Sequence, residues 1–249
     1  MSSQLPMRIK ALLLDLDNTL LRNEMEKFVP AYLSVLAEFM ADHFPSDILI
    51  AHLMRATRAM MNDTDPSRTN MEAFDRVFFP AIGRARRELE PIFEQFYATR
   101  FPQLRSLTQQ EPAARPLVEW AFAQGFQVVI ATNPLFPRTA IEQRLEWAGI
   151  PPSEFPYHLV TSYEEMHATK PHPAYYLEIA HRLGRAPEEC LMVGDDWEMD
   201  ILPALEIGME AYWIAQPGEK PQVEGRGPLG VGSLADFYHW IRGLSSRST

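Results

Sequence analysis

Ile9-Lys10-Ala11-Leu12-Leu13-Leu14 runs straight into Asp15-Leu16-Asp17-Asn18-Thr19-Leu20, so a hydrophobic strand ends where two carboxylates stand two residues apart. Side chains alternate along a strand, which puts Asp15 and Asp17 on one face if the strand continues; a turn at the same point aims both into one cavity. Two like charges that close require a cation, a shared proton or open water. An isolated Asp-x-Asp also fits a solvated loop, and the rest of the chain decides between these readings.

From about Glu111 onward, apolar runs alternate with helical patterns. Gln127-Val128-Val129-Ile130-Ala131, Tyr157-His158-Leu159-Val160-Thr161, Cys190-Leu191-Met192-Val193 and Ala211-Tyr212-Trp213-Ile214 read as short buried strands. Between them, Arg138 to Ala148, Pro173 to Leu183 and Met199 to Ile207 carry apolar residues at three- and four-residue spacing. Short buried strands separated by amphipathic helices predict an α/β fold, a doubly wound parallel sheet covered on both faces. The run at Ile9 to Leu14 belongs to that sheet. Roughly 90 residues separate Leu20 from Glu111, far more than an ordinary strand-to-helix connection, so something is inserted there.

The inserted stretch reads as helical. Phe28, Tyr32, Leu33, Val35, Leu36, Phe39 and Met40 recur at helical spacing, as do Phe74, Val77 and Phe78 and then Ile92, Phe93, Phe96 and Tyr97. The expected division is a core of residues 1–20 and 109–249 with a helical domain at 21–108, interrupted by a polar loop at Asn62 to Arg68.

Composition narrows the function. A formal charge of −10 lacks the basic footprint of nonspecific nucleic-acid binding. Charges interrupt every apolar stretch well short of the about 18 residues that span a bilayer, and Met1 to Arg8 show no signal-peptide pattern, so no membrane partner and a cytoplasmic location are expected. The one cysteine, Cys190, can form neither an internal disulfide nor a thiolate cluster, and its apolar setting reads as core.

Ligands of an open parallel sheet bind beyond the carboxyl ends of its strands. The first strand releases Asp15 and Asp17, the second Thr132-Asn133-Pro134, and the one ending near Val193 releases Gly194-Asp195-Asp196-Trp197-Glu198-Met199-Asp200; Lys170-Pro171 precedes the helix that Pro173 helps to start. Asp15, Asp17, Asp195, Asp196 and Asp200 would bring five negative charges against Lys170 alone, which demands a compensating cation or exposure. Oxygen ligands without a His or Cys set favour Mg²⁺ over zinc.

At these positions the chain resembles the haloacid dehalogenase-like hydrolase superfamily, whose four short motifs occur here in order. Asp15-Leu16-Asp17-Asn18-Thr19-Leu20 matches the first, Thr132 the second, Lys170-Pro171 the third and Gly194-Asp195-Asp196-x-x-x-Asp200 the fourth. The resemblance covers residues 9–20 and about 111–243, and the helical insert corresponds to the cap that members carry after the first motif. It implies a Rossmann-like core in which Asp15 attacks phosphorus and forms an aspartyl-phosphate. Asp17 would protonate the leaving oxygen and then help activate water. Thr132 and the backbone N–H of Asn133 would hold phosphoryl oxygens, and Lys170 would neutralise nucleophile and phosphoryl group. For the metal it implies a side-chain oxygen of Asp15, the backbone carbonyl of Asp17, and Asp195. Asp200 is expected in a supporting role, and Asp196 either there or as a solvated or helix-capping carboxylate.

The resemblance also separates reactions. Dehalogenases and phosphonate-cleaving members lack an acid at the position of Asp17, so its presence implies hydrolysis of a small phosphorylated metabolite, a phosphate monoester. A phosphomutase of the same superfamily and a noncatalytic phosphate- or partner-binding module stay open as alternatives. His167 and His172, flanking Lys170, could reach the crevice but read more readily as structural; Arg68, Arg84, Arg86 and Arg87 could meet a second anionic group or lie on solvated helix faces. The Gly-rich Gly225 to Gly230 has neither the context nor the Lys of a P-loop and reads as a loop. Nothing in the sequence specifies the oligomeric state.

Overall fold

A computed structural model describes residues 9–215, 218–219 and 225–245; the start at Met1 to Arg8, on which the expected location rested, lies outside them. The chain begins with strand β1 (Ala11–Leu14), a short β2 (Leu21–Arg22) and four helices, α1 (Met25–Phe39), α2 (Ser46–Met61), α3 (Asn70–Ile82) and α4 (Arg86–Thr99). It returns through β3 (Gln109–Gln110) and continues as α5 (Ala114–Ala123), β4 (Gln127–Ile130), α6 (Arg138–Trp147), β5 (Leu159–Val160), α7 (Pro173–Leu183), β6 (Cys190–Gly194), α8 (Leu202–Glu206), β7 (Glu210–Ile214), β8 (Gly230–Gly232) and α9 (Leu234–Ser245).

Six strands form one sheet in the order β5-β4-β1-β6-β7-β8, with every neighbouring pair parallel. Parallel strands covered by helices on both faces read as continuous apolar runs, and β1 explains why: Leu12 and Leu14 join one core with Val128, Ile130, Leu191 and Val193, while Ala11 and Leu13 join another with Val129, Cys190 and Met192. The second core is closed by Tyr175, Tyr176 and Ile179 of α7. Cys190 is buried there, and burial pushes its thiol up to about 12, away from nucleophilic use.

The order of the strands fixes where a ligand can bind. From β1 the chain moves outward through β4 to β5, then crosses back to β6 and outward through β7 to β8. The strands next to β1 therefore belong to opposite excursions, a topological switch point, and the crevice opens at their carboxyl ends. Asp15 stands at its centre.

β2 and β3 pair antiparallel, Leu21 opposite Gln110 and Arg22 opposite Gln109, so the helical stretch leaves and returns through adjacent strands. Its helices are not a detached unit: Phe28, Leu36, Phe78, Leu89 and Phe96 belong to the same apolar cluster as Leu12 and Leu14. α3 is held by a capping box, in which Thr69 Oγ1 accepts from the Glu72 N–H and the Glu72 carboxylate accepts from the Thr69 N–H. The polar Asn62 to Arg68 stretch turns between α2 and α3.

Several elements, among them β2, β3, α5, β8 and α9, lie outside the sequence expectation. The Gly-rich stretch read as a loop ends in β8, whose Gly230 and Gly232 lie where a Cβ would strike the Tyr212 ring or Asp236; a strand without side-chain periodicity leaves no alternation to read. α9 has ordinary amphipathic spacing, with Leu234, Phe237 and Ile241 buried, but follows a strand that carries no legible pattern. No helix among the described residues is long and apolar enough to cross a membrane.

Candidate active site

The turn after β1 carries the first acidic pair. Asp15 still donates its backbone N–H to the Val193 carbonyl at 2.9 Å, so its position is set by the sheet. The chain then folds back: the N–H groups of Leu20 and Leu21 both donate to the Leu16 carbonyl at 2.9 Å, and Asn18 donates to the Leu21 carbonyl at 2.7 Å. Asn18 has φ of 57°, the left-handed conformation that asparagine tolerates better than most side chains, and its Oδ1 accepts from the Asn23 N–H. This turn sends the two carboxylates to different partners.

Asp15 faces Lys170. Lys170 Nζ donates to Asp15 Oδ1 at 2.7 Å and to Asp200 Oδ1 at 2.5 Å, with all three side chains buried. One carboxylate oxygen each from Asp15, Asp195 and Asp200 lies within 4.8 Å of the others. Three acids against one ammonium leave negative charge in excess. Burial raises the Asp15 carboxyl well above its ordinary range; Lys170 opposes this, and Asp200 and Asp195 add to it. Burial and the charge of Asp200 push Asp195 up to about 7. For Lys170 burial works downward, but Asp15 and Asp200 outweigh it and hold the ammonium charged. An oxygen-only trio with surplus negative charge fits a hard divalent cation.

Asp200 owes its position to Gly194. A Cβ built on Gly194 would meet Asp200 Oδ2 at 2.2 Å, so only glycine lets the carboxylate lie against the end of β6, where Oδ2 also accepts from the Asp196 N–H at 3.2 Å. Gly194→Ala is expected to displace Asp200 and to cost about 1–3 kcal/mol of stability as an overpacked site. A thermal melt equal to that of the unaltered protein would contradict the contact. Asp196 itself points elsewhere: its Oδ1 accepts from the N–H groups of Glu198 and Met199 at 2.9 and 3.0 Å, capping the turn that leads to α8.

Thr132 follows β4 and is buried. Its carbonyl accepts from Thr161 Oγ1 at 2.7 Å and from the Tyr175 hydroxyl at 2.9 Å, which fixes the loop beside Asp15. Asn133 Oδ1 accepts from the Lys170 N–H at 3.3 Å, tying the loops after β4 and β5 together. The helical stretch docks on the latter loop: the N–H groups of Asn70 and Met71 donate to the carbonyls of Met166 and Tyr163, both at 2.7 Å, and Asn70 Nδ2 donates to the Ala168 carbonyl at 3.1 Å.

Asp17 is not part of the acidic trio. Its Oδ2 accepts from Arg144 Nη1 at 2.6 Å and its Oδ1 from Asn23 Nδ2 at 2.7 Å. Neither partner was expected from the sequence, although Arg144 left a signal. Ala140, Ile141, Leu145 and Trp147 are the buried apolar residues of α6, and Arg144 occupies a place among them where an apolar residue belongs. Three of the other basic candidates meet acids of their own: Arg68 pairs with Asp63 and Asp65, Arg84 with Glu88, and Arg86 with Asp75 and Glu90. His167 pairs with Glu178, and His172 Nε2 lies 2.9 Å from the Met61 carbonyl. Trp197 packs edge-on against Trp213, whose Nε1 donates to the Asp195 carbonyl at 2.9 Å.

Comparison with known proteins places this arrangement. Residues 9–208 match the model of the haloacid dehalogenase-like hydrolases. The chain belongs to that family. A curated relative, glyceraldehyde 3-phosphate phosphatase of Methanopyrus kandleri, is 32% identical over 114 residues, 46% of this chain and 45% of the relative, so the matched part spans less than half of either protein. Among solved structures, a HAD phosphatase from Thermococcus onnurineus aligns with a TM-score of 0.58 at 21% identity, covering 94% of this chain and 99% of the other. A 2-haloacid dehalogenase from Pseudomonas syringae pv. Tomato DC3000 aligns with a TM-score of 0.62 at 23% identity, covering 97% and 100%. At these identities the likeness to phosphatase and dehalogenase alike establishes the Rossmann-like haloacid dehalogenase fold, and the reaction of this hydrolase is a question for its own side chains.

Proposed function

We propose that this protein is a Mg²⁺-dependent phosphatase that hydrolyses a small phosphate monoester through an aspartyl-phosphate on Asp15. The observation that carries the reading is the unequal placement of the two carboxylates: Asp15 lies on the Lys170 ammonium, and Asp17 stands apart from the acidic trio on donors of its own. A haloacid needs no proton delivered to its leaving halide, whereas an alkoxide leaving from phosphorus does, and Asp17 supplies a group to deliver it. The phosphatase relative accords with this choice.

In the first step an oxygen of Asp15 attacks phosphorus, the bond from phosphorus to the ester oxygen breaks, and that oxygen takes a proton from Asp17. In the second, water attacks the aspartyl-phosphate while Asp17 accepts its proton, releasing inorganic phosphate and restoring Asp15. Lys170 neutralises charge on Asp15 and on the phosphoryl oxygens; Thr132 and the Asn133 N–H hold those oxygens in place. Asp15, the backbone carbonyl of Asp17, and Asp195 would hold Mg²⁺, with Asp200 keeping Lys170 in register. When bound, Mg²⁺ supplies fixed positive charge against the phosphoryl group. Residues 21–108 act as a cap that excludes water and selects the substrate, with the paired β2 and β3 as the connection about which it opens.

The test is a screen of phosphate esters, including sugar phosphates, nucleotides and phosphoglycolate, with and without Mg²⁺. Stoichiometric release of inorganic phosphate is the expected result. Isomerisation with retained phosphate would make the protein a mutase, and binding without turnover of any ester would leave a phosphate-binding module.

A further inference from the structure

The side chain of Arg144 is wholly buried, with 0% of its surface exposed, while that of Asp17 keeps 14%. Asp17 is the one acidic partner of Arg144 among the described residues, and the guanidinium otherwise lies over the Phe136 ring, 4.8 Å from its centroid. Its Nε and Nη2 are buried with no hydrogen-bond partner. A guanidinium buried only to strengthen the fold would use its donors fully, because unpaired buried donors are costly and an apolar residue of similar volume is commonly as stable or more so. Here one donor is used, and it is spent on a carboxylate oxygen.

We infer that Arg144, with Asn23, is a positioning residue that aims the Asp17 carboxylate at the leaving-group oxygen. Arg144 comes from α6 and Asn23 from just beyond β2, so each oxygen of Asp17 is gripped from a different side. That fixes both the rotation and the reach of the side chain, and a group that passes a proton to a departing oxygen must lie within hydrogen-bond range of it. Phe136 stacks beneath the guanidinium and keeps it from turning away from Asp17. The inference rests on the proposed role of Asp17 in proton transfer and names what makes that role effective.

The experiment compares kcat/KM for two probes, phenyl phosphate and 4-nitrophenyl phosphate. The phenolate that leaves from the first needs a proton far more than the acidic nitrophenolate of the second. Arg144→Met is expected to lose on the order of a hundredfold with phenyl phosphate, the lower end of what a well-placed proton donor contributes, and much less with 4-nitrophenyl phosphate. Asp17→Asn is the control and should show the same ordering. A loss equal for both probes, or none, in an Arg144→Met protein that melts like the unaltered one overturns the inference while leaving the role of Asp17 standing. An Asp17→Asn protein without that ordering overturns both. Should the methionine variant not fold, Arg144→Gln carries the same comparison, and a chain that folds with neither makes Arg144 a purely structural residue.

Discussion

Asp15→Asn is expected to abolish phosphate release while leaving the protein folded, with a fall on the order of a million-fold, the scale seen when a hydrolase loses its nucleophile. The substitution keeps shape and volume, and an amide oxygen can still accept from Lys170 Nζ, which donates to Asp15 Oδ1 at 2.7 Å. What it removes is the charge and the attacking oxygen. Stability should not suffer, and the pKa direction says why: burial raises the Asp15 carboxyl, so folding disfavours its ionised form. A neutral isostere relieves that penalty, and the thermal midpoint of the metal-free variant should equal or exceed that of the unaltered protein. Phosphate release and a melt, measured on one preparation, check both halves. Substantial remaining turnover would refute the nucleophile; an unfolded variant would make Asp15 a structural residue.

How far the sequence could be read depends on the physics each residue answers to. β1, β4 and β6 are buried on both faces, so each announces itself as a continuous apolar run, and the polar residues released at their ends stand out against it. Asp15, Lys170, Asp195 and Asp200 meet because the switch point of the sheet collects the ends of those strands, a consequence of topology that strand order already contains. β8 was hidden because its glycines answer to the Tyr212 ring and the Asp236 side chain, contacts that leave no periodicity in the chain. Asn23 and Arg144 were hidden for another reason. They reach Asp17 from positions 6 and 127 residues away, and no local rule links them. Only the misplaced charge in the apolar stripe of α6 pointed to one of them. Asp196 shows the limit from the other side: within one short motif, three aspartates share a residue type but not a task, and the backbone turn that Asp196 caps is what directs it away from the trio.

Removal of divalent metal is expected to silence the enzyme and Mg²⁺ to restore it, and the strength of that dependence should follow pH. Asp195 is pushed up to about 7 and Asp15 and Asp200 are raised, burial being the leading cause for each. In the unfolded chain these carboxyls titrate near 4. Between about pH 4 and pH 7 Asp195 of the metal-free folded protein therefore holds a proton that the unfolded chain has released, and it makes the fold less stable as pH rises through that window, with Asp15 and Asp200 acting in the same direction. A bound cation reverses the sign, since it takes the place of the protons and is favoured by the ionised carboxylates. The stabilisation given by Mg²⁺ should consequently be small at pH 5.5 and large at pH 8. At a concentration a hundredfold above its dissociation constant it amounts to about 2.7 kcal/mol, or roughly 5–10 °C in the melting temperature of a chain this size. Melts with Mg²⁺ and with chelator at the two pH values provide the measurement. A shift of equal size at both would mean that the ion binds away from the trio, and activity indifferent to chelator would overturn the metal's role, because among the described residues Lys170 is the one cation paired with the trio, too little to offset three carboxylates.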